Sequence, residues 1–483
     1  MEQLLKNIDS ILRFTIWFVG ILVSYRIIYL VIGLFLPSKK FKATDKKHKF
    51  AILIAARNEE QTIAQLIDSI KKQCYSQELI TTFVIAHNCT DRTAEIAREA
   101  GAIVYEYNNK KQRRKGFALN YLLQQIKKDY ATAEQPNGIL TFDGYFLFDA
   151  DNLLAADFVT QMNKAFVNPE FDCVAGYLNV KNFGTSVISS YSSVNLYNVN
   201  LNILRPLSWL GVSVQMRGTG VLLRSHMLEN GYNWFNLTED NEFSAWMMSR
   251  GYRSTYCEAA KHFDEQPLSF RILARQQMRW ARGGTLVFLK TLPRLLFGIV
   301  APVRFREKSA VQDNHVIPSA VEESRHCRLV GRDPSTSLGM TTIITQFQKR
   351  FSCFDRIMAT FPLWVLTMVY GLLYPIAVLG YSAVTGDSTA ILQMLITVLP
   401  YYTIVYANSF FSNLVTILRE GHQMRVVPIK LMLHMFLWPF VFIAITYVWL
   451  VGIFWPVKWK PIPHVIDKQI EDIYKEDTLA RFR

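Results

Sequence analysis

Four long apolar runs, at roughly 11–36, 360–384, 390–416 and 430–455, constrain this chain more than any other feature. Each is at least as long as the ~20 residues a helix needs to cross a bilayer. Between the first and second lies a polar stretch, about 38–355, long enough for one large folded domain. The first run is too long for a signal-peptide core, and no small-residue cleavage site follows it, so it reads as a retained anchor. Arg26 lies inside that run and is costly there unless it faces other helices or snorkels.

The formal charge of +14 matters through its position. "PSKKFKATDKKHK", directly after the first run, holds six lysines against one aspartate. By the positive-inside rule this end faces the cytoplasm and anionic headgroups, and the polar middle is then cytoplasmic. "LREGHQMRVVPIK" is also basic and also reads as inside. The topology does not close: three crossings after a cytoplasmic domain put the C-terminus outside, yet "VKWKPIPHVIDK" is basic. One run then lies in the interface or re-enters. A nucleic-acid binder would need a basic stripe with interleaved aromatics; here the lysines sit beside the membrane, which excludes that class. The six scattered cysteines show no CxxC and no metal spacing, so they read as free thiols.

From 50 to 150 the pattern alternates. "KFAILIAAR", "LITTFVIAH", "AIVYEY" and "YFLFDA" read as buried strands. "EEQTIAQLIDSIKKQ", "CTDRTAEIAREAG" and "KGFALNYLLQQIKK" read as the helices between them, the second opened by a Thr/Asp cap and closed by Gly101. Such alternation predicts an α/β fold with a mostly parallel sheet. Ligands of such sheets bind at the carboxyl ends of the strands. Asp149 and Asp151 of "YFLFDADN" lie at one such end, Arg57–Glu60 at another and His87 at a third.

Side chains alternate along a strand, so Asp149 and Asp151 point the same way if the extended geometry continues. Two carboxylates on one side suit Mg²⁺ or Mn²⁺, hard cations that share themselves with substrate phosphates. The competing reading is a solvated turn, where Asp and Asn are common.

With these residues placed, the chain resembles the membrane-anchored family-2 glycosyltransferases, the group of the cellulose, chitin and hyaluronan synthases. The resemblance rests on "AARNEE", "NCTDRTAEIAREAGA", "KGFALN", "FDADN", "GTG" at 218–220, "TED" at 238–240 and the Q-x-x-R-W pattern of "QQMRW" at 276–280, in that order. It covers roughly 50–290 and implies a GT-A fold and inverting transfer from a nucleotide-diphosphate sugar, uridine-linked. It places the donor diphosphate and its Mg²⁺ or Mn²⁺ at Asp149 and Asp151, and the general base at Asp240 beside Glu239. Arg57, Glu59, Asp91, Lys115 and Arg279 fall to donor binding, Gln276 and Trp280 to the acceptor. The acceptor is a growing polysaccharide at the cytoplasmic membrane, or, for a non-processive enzyme, a single lipid.

Plainer readings stand beside these. "NLTEDNEFSAWMMSRGY" is also a helix capped by Thr238 with acids in its first turn. "RILARQQMRWARGG" is also a basic amphipathic helix on a membrane surface. Arg113 and Lys115 are also plausible solvated loop charges. Family members usually carry an aspartate after the second strand, where this chain has His87, so uracil recognition lacks its usual residue and His87 also reads as a surface histidine. The stretch 307–341 has neither helical nor strand period and resembles a translated dispersed repeat; it is expected to be disordered and outside the catalytic core. The expected organisation is an anchor at 1–37, a cytoplasmic domain with an interfacial helix at 38–302, a linker at 303–355, membrane helices at 356–456 and a tail at 457–483.

Overall fold

The structure is a computed structural model that describes residues 2–301, 337–360, 373–424, 428–455, 466 and 468–481. An eight-stranded sheet forms its centre: β1 Phe50–Ala56, β2 Ile80–His87, β3 Ile103–Tyr107, β4 Gly144–Asp149, β5 Leu153–Leu154, β6 Cys173–Val180, β7 Val221–Arg224 and β8 Ser254–Asp264. The strand order is β3-β2-β1-β4-β7-β6-β8-β5. The first four strands are parallel, with Leu53 opposite Phe83 on one side and Leu147 on the other. The expected parallel arrangement holds for this half. The other half is mixed: β7 runs antiparallel to β4 and β6, β6 and β8 are parallel, and β5 is antiparallel to β8.

Strand side chains alternate between faces, and here both faces are buried. Ala51, Leu53, Phe83, Ile85, Tyr145 and Leu147 pack into a core on one side. Phe50, Ile52, Ile54, Val84, Phe146 and Phe148 pack into another. That is why the strands read as continuous apolar runs. Crossover helices Ile63–Lys71, Thr93–Glu99 and Lys115–Asp129 cover the sheet where the sequence predicts them. Gly101, at φ +83°, ends the second one.

The apolar helices attach to this domain through specific polar contacts. Helix Phe270–Val300 runs unbroken for 31 residues. Its N-terminal half carries the Q-x-x-R-W residues. Among the described residues, Phe270–Val300 and Met435–Phe454 are long and apolar enough to cross a membrane. Lys6–Leu22 and Arg26–Phe35, bent by 43°, make a third span if counted together. Arg205 donates to Glu258 and Glu420, and Tyr177 Oη donates to Glu420 at 2.8 Å, tying helix Ser388–Glu420 to the sheet. Helix Ser337–Thr360 sends neighbouring residues to two places: Asp355 accepts from Tyr25 and Tyr29 of the N-terminal helical pair, and Arg356 reaches the domain interior. Residues 307–336 of the unpatterned stretch lie outside the described residues. Its last five residues, 337–341, open helix Ser337–Thr360 rather than remaining irregular.

Candidate active site

The carboxyl ends of β1, β2 and β4 open onto one cavity of about 740 Å³. Arg57, Glu59, Lys115, Asp149, Asp151, Glu239, Asp240, Gln276, Arg279 and Trp280 all line it. Asp91 does not. Its carboxylate accepts from Glu60 N at 3.2 Å and from Thr93 N and Oγ1 at 3.2 and 2.6 Å. It thus pins the loop after β1 to the start of the next helix, doing the work expected of the Thr/Asp cap.

The two aspartates after the fourth strand have different surroundings. β4 ends at Asp149, and residues 150–151 form a turn closed by Asn152 N donating to the Asp149 carbonyl at 3.2 Å. Extended geometry therefore stops before Asp151. The Asp149 side chain is 44 % exposed and its Oδ1 lies 2.5 Å from Lys115 Nζ. Asp151 is 2 % exposed, and its Oδ2 accepts from Glu265 N. Both still face the same cavity.

Lys115 is the hub. Its ammonium also donates to the Gly218 carbonyl at 2.7 Å. Burial works against its charge, but Asp149, Glu239 and Asp240 around it hold its pKa above the usual lysine value. The helix start is docked on the loop before Thr238: Arg114 donates to the Phe235 carbonyl at 2.7 Å, and Phe117 stacks on Phe235 at 4.5 Å. Gly116 permits this approach, since a Cβ there would lie 2.0 Å from the Trp234 carbonyl oxygen. The "KG" pair is thus one cation and one close backbone contact.

Glu239 and Asp240 open helix Glu239–Ser249, where a helix N-terminus favours negative charge. Thr238 holds the cap position, but its side chain makes no capping bond. Its Oγ1 is buried against Gly283 of the long helix. Burial, and then the neighbouring Asp240 charge, push the Glu239 carboxyl up to about 7. Burial raises Asp240 as well, while Arg279, Arg356 and Lys115 pull it back down. Each carboxyl is therefore harder to ionise than a free one.

Gln276 and Arg279 share a helix face, as i,i+3 spacing requires. Arg279 donates to the Leu237 carbonyl at 2.9 Å, beside "TED". Trp449, from helix Pro428–Phe454, lines the cavity too and donates to Gln277 Oε1 at 2.7 Å. His87 is not a surface residue: it is 4 % exposed, lines the cavity and stacks on Tyr107. Its Nε2 is 2.7 Å from the Gln112 carbonyl, and burial lowers its pKa.

Sequence reasoning missed three residues that line or flank the cavity. Arg217 lines it, with Nη1 donating to Asn200 at 2.9 Å; its position directly before "GTG" was a usable signal. Trp449 and Arg356 come from distant helices and carry no local signal.

The four-strand parallel half, the mixed continuation and the acid-and-base cavity at the strand ends agree with the GT-A fold that the sequence resemblance implies. Residues 48–283 match the family model described as "Glycosyltransferase like family 2". Over those residues, just under half of the chain, it is similar to the family-2 glycosyltransferases. A probable glycosyltransferase, YdaM, of Bacillus subtilis is 24 % identical over 250 residues, covering 50 % of this chain and 57 % of that protein. The poly-beta-1,6-N-acetyl-D-glucosamine synthase of Staphylococcus aureus is 25 % identical over 253 residues, covering 51 % of this chain and 57 % of that one. The matched region is thus a little over half of each relative's length. A Pyrobaculum calidifontis mannosyltransferase solved with GDP-Man and Mn²⁺ is 14 % identical, with TM-score 0.45 over 86 % of this chain and 98 % of that one.

Proposed function

We propose that this chain is an inverting glycosyltransferase acting at a membrane. It moves a sugar from a nucleoside-diphosphate donor, uridine-linked, onto the hydroxyl of a growing polysaccharide. One observation carries the reading: Lys115 and Asp149, the carboxyl pair Glu239–Asp240, and Gln276, Arg279 and Trp280 all line one cavity.

In this reading the acceptor hydroxyl oxygen attacks the anomeric carbon from the face opposite the diphosphate. The carbon–oxygen bond to the diphosphate breaks, and the nucleotide leaves with the electron pair. Asp240 takes the hydroxyl proton, the task of a positioned base. Lys115 and Arg279 hold the diphosphate end. Trp280 offers an aromatic face to the acceptor ring, while Gln276 supplies polar contacts.

The residues present also suit a divalent cation. Asp149 and Asp151 would hold it: both are hard oxygen donors at the cavity wall, and one or two carboxylates suffice for an Mg²⁺-like ion that shares itself with phosphates. Among the described residues no cluster of three or more His, Cys, Asp or Glu is gathered for a metal. When bound, such a cation would stabilise negative charge on the departing nucleotide.

The cavity reaches Trp449 of the apolar helix Pro428–Phe454, which supports an acceptor presented from the membrane side. That observation also favours a second reading, a single transfer to a lipid acceptor. The likeness to a polysaccharide synthase supports the polymer. The test is purified protein in detergent or vesicles with a panel of nucleotide sugars, reading released nucleotide and product mass. A ladder of lengths from one donor supports the first reading, a single glycolipid the second, and no turnover with any donor contradicts both.

A further inference from the structure

Helix Ser337–Thr360 lies beyond the residues that match the family, yet its Arg356 is only 2 % exposed and bonds to two residues that line the cavity, Gln215 and Asn241. Arg356 Nη1 donates to Gln215 Oε1 at 2.7 Å. Its Nη2 donates to the Asn241 carbonyl at 3.1 Å and to Asn241 Oδ1 at 2.5 Å. Gln215 stands three residues before Gly218, whose carbonyl holds Lys115. Asn241 directly follows Asp240 and donates its N–H to Asp240 Oδ1 at 2.8 Å. Ser244 closes the same junction, accepting from Met216 N at 2.9 Å and donating to the Asp240 carbonyl at 2.8 Å. One guanidinium fork therefore fastens the 215–218 loop to the helix start that carries the carboxyl pair, with the rigid geometry that distinguishes Arg from Lys.

We propose that Arg356 is the positioning residue of Asp240, fixing the aspartate against the 215–218 loop so that it faces the acceptor hydroxyl. This rests on Asp240 being the base. Arg356 touches neither Lys115 nor the Asp149 end, so its work is on transfer rather than on donor capture. Its charge adds to a field that Asp240 already feels from Lys115 and Arg279, opposed by Glu239 on its own helix, with Arg217 and Tyr232 also facing it.

The test compares full-length wild type with Arg356→Gln, Arg356→Lys and Asp240→Asn. The readouts are turnover, donor affinity measured with UDP as probe, and the pH dependence of kcat/KM. Arg356→Gln keeps hydrogen-bonding capacity without charge. Its turnover is expected to fall about ten- to a hundredfold, the scale of a small misplacement of a catalytic group. UDP affinity should stay unchanged, and the acid limb should move to higher pH because a cation that favours ionised Asp240 is gone. Arg356→Lys restores the limb and part of the rate. Equal turnover and equal pH profiles in wild type, Arg356→Gln and Arg356→Lys, with Asp240→Asn inactive, overturn the inference alone. An active Asp240→Asn overturns the base assignment beneath it. Loss of UDP binding in Arg356→Gln, not recovered in Arg356→Lys, makes Arg356 merely structural and also overturns the proposal.

Discussion

Lys115 Nζ stands 2.5 Å from Asp149 Oδ1, so the first residue of one crossover helix closes an ion pair with the last residue of β4. The pair joins a helix start to a strand end 34 residues away in sequence. It also leaves a cation at the cavity wall where the donor diphosphate is proposed to lie.

Lys115→Met should therefore weaken donor binding more than it slows transfer. A charge-assisted hydrogen bond is worth about 1.5–3 kcal/mol, roughly ten- to a hundredfold in affinity. Equilibrium binding of UDP to the variant checks this. Unchanged affinity would remove Lys115 from the donor site and leave it as a strand-end clamp.

Asp149 and Asp151 are expected to make turnover depend on a divalent cation. Chelation with EDTA should abolish nucleotide release, and Mg²⁺ or Mn²⁺ should restore it. Asp151→Asn should fold, since Asn can still accept the Glu265 N–H, and should lose most activity at any metal concentration. Full turnover in EDTA contradicts the assignment.

The pH profile follows from the raised carboxyls. A base must be ionised, so kcat/KM falls as pH drops through its pKa. Burial raises Asp240, so this acid limb should lie above the ordinary aspartate value of about 4. A wild-type limb at the ordinary aspartate value contradicts this expectation.

Gly283 joins the long helix to the carboxyl pair. A Cβ there would lie 2.7 Å from Thr238 Cγ2 and Oγ1 and 3.1 Å from its Cβ. Gly283→Ala should thus shift the turn before Glu239 and lower turnover. Gly20→Ala, where a Cβ meets nothing within 4 Å, should not. Activity and melting temperature measured together separate a local shift from global unfolding. Wild-type turnover in Gly283→Ala would mean the turn absorbs the methyl without moving the site.

The sequence made the parallel half of the sheet legible because each strand there is buried on both faces and each helix has its own period. Ile63, Leu66, Ile67 and Ile70 are all buried as their spacing predicts. The mixed half was not foreseen, since β7 has four residues and β5 two, too short for a pattern. Within the cavity, residues at strand ends and helix starts could be read from local motifs. Arg356 and Trp449 could not, because tertiary packing alone brings their helices to the site. Asp151 shows a subtler limit. Its place in "DAD" was plain, but the Asn152 turn that separates its setting from that of Asp149 depends on Thr219, whose Oγ1 donates to Asn152 Oδ1 and accepts from Asp149 N.

The central claim is that Asp240 takes the acceptor proton, and it is tested most directly by measuring UDP affinity and turnover side by side in wild type, Asp240→Asn and Glu239→Gln. The account predicts that Asp240→Asn binds UDP normally while turnover falls about 10²–10⁴-fold, the usual loss on removing a positioned base, and that Glu239→Gln suffers less. If Asp240→Asn loses UDP affinity as much as it loses turnover, Asp240 belongs to the nucleotide site. If Glu239→Gln is the inactive variant, the base is the other carboxylate.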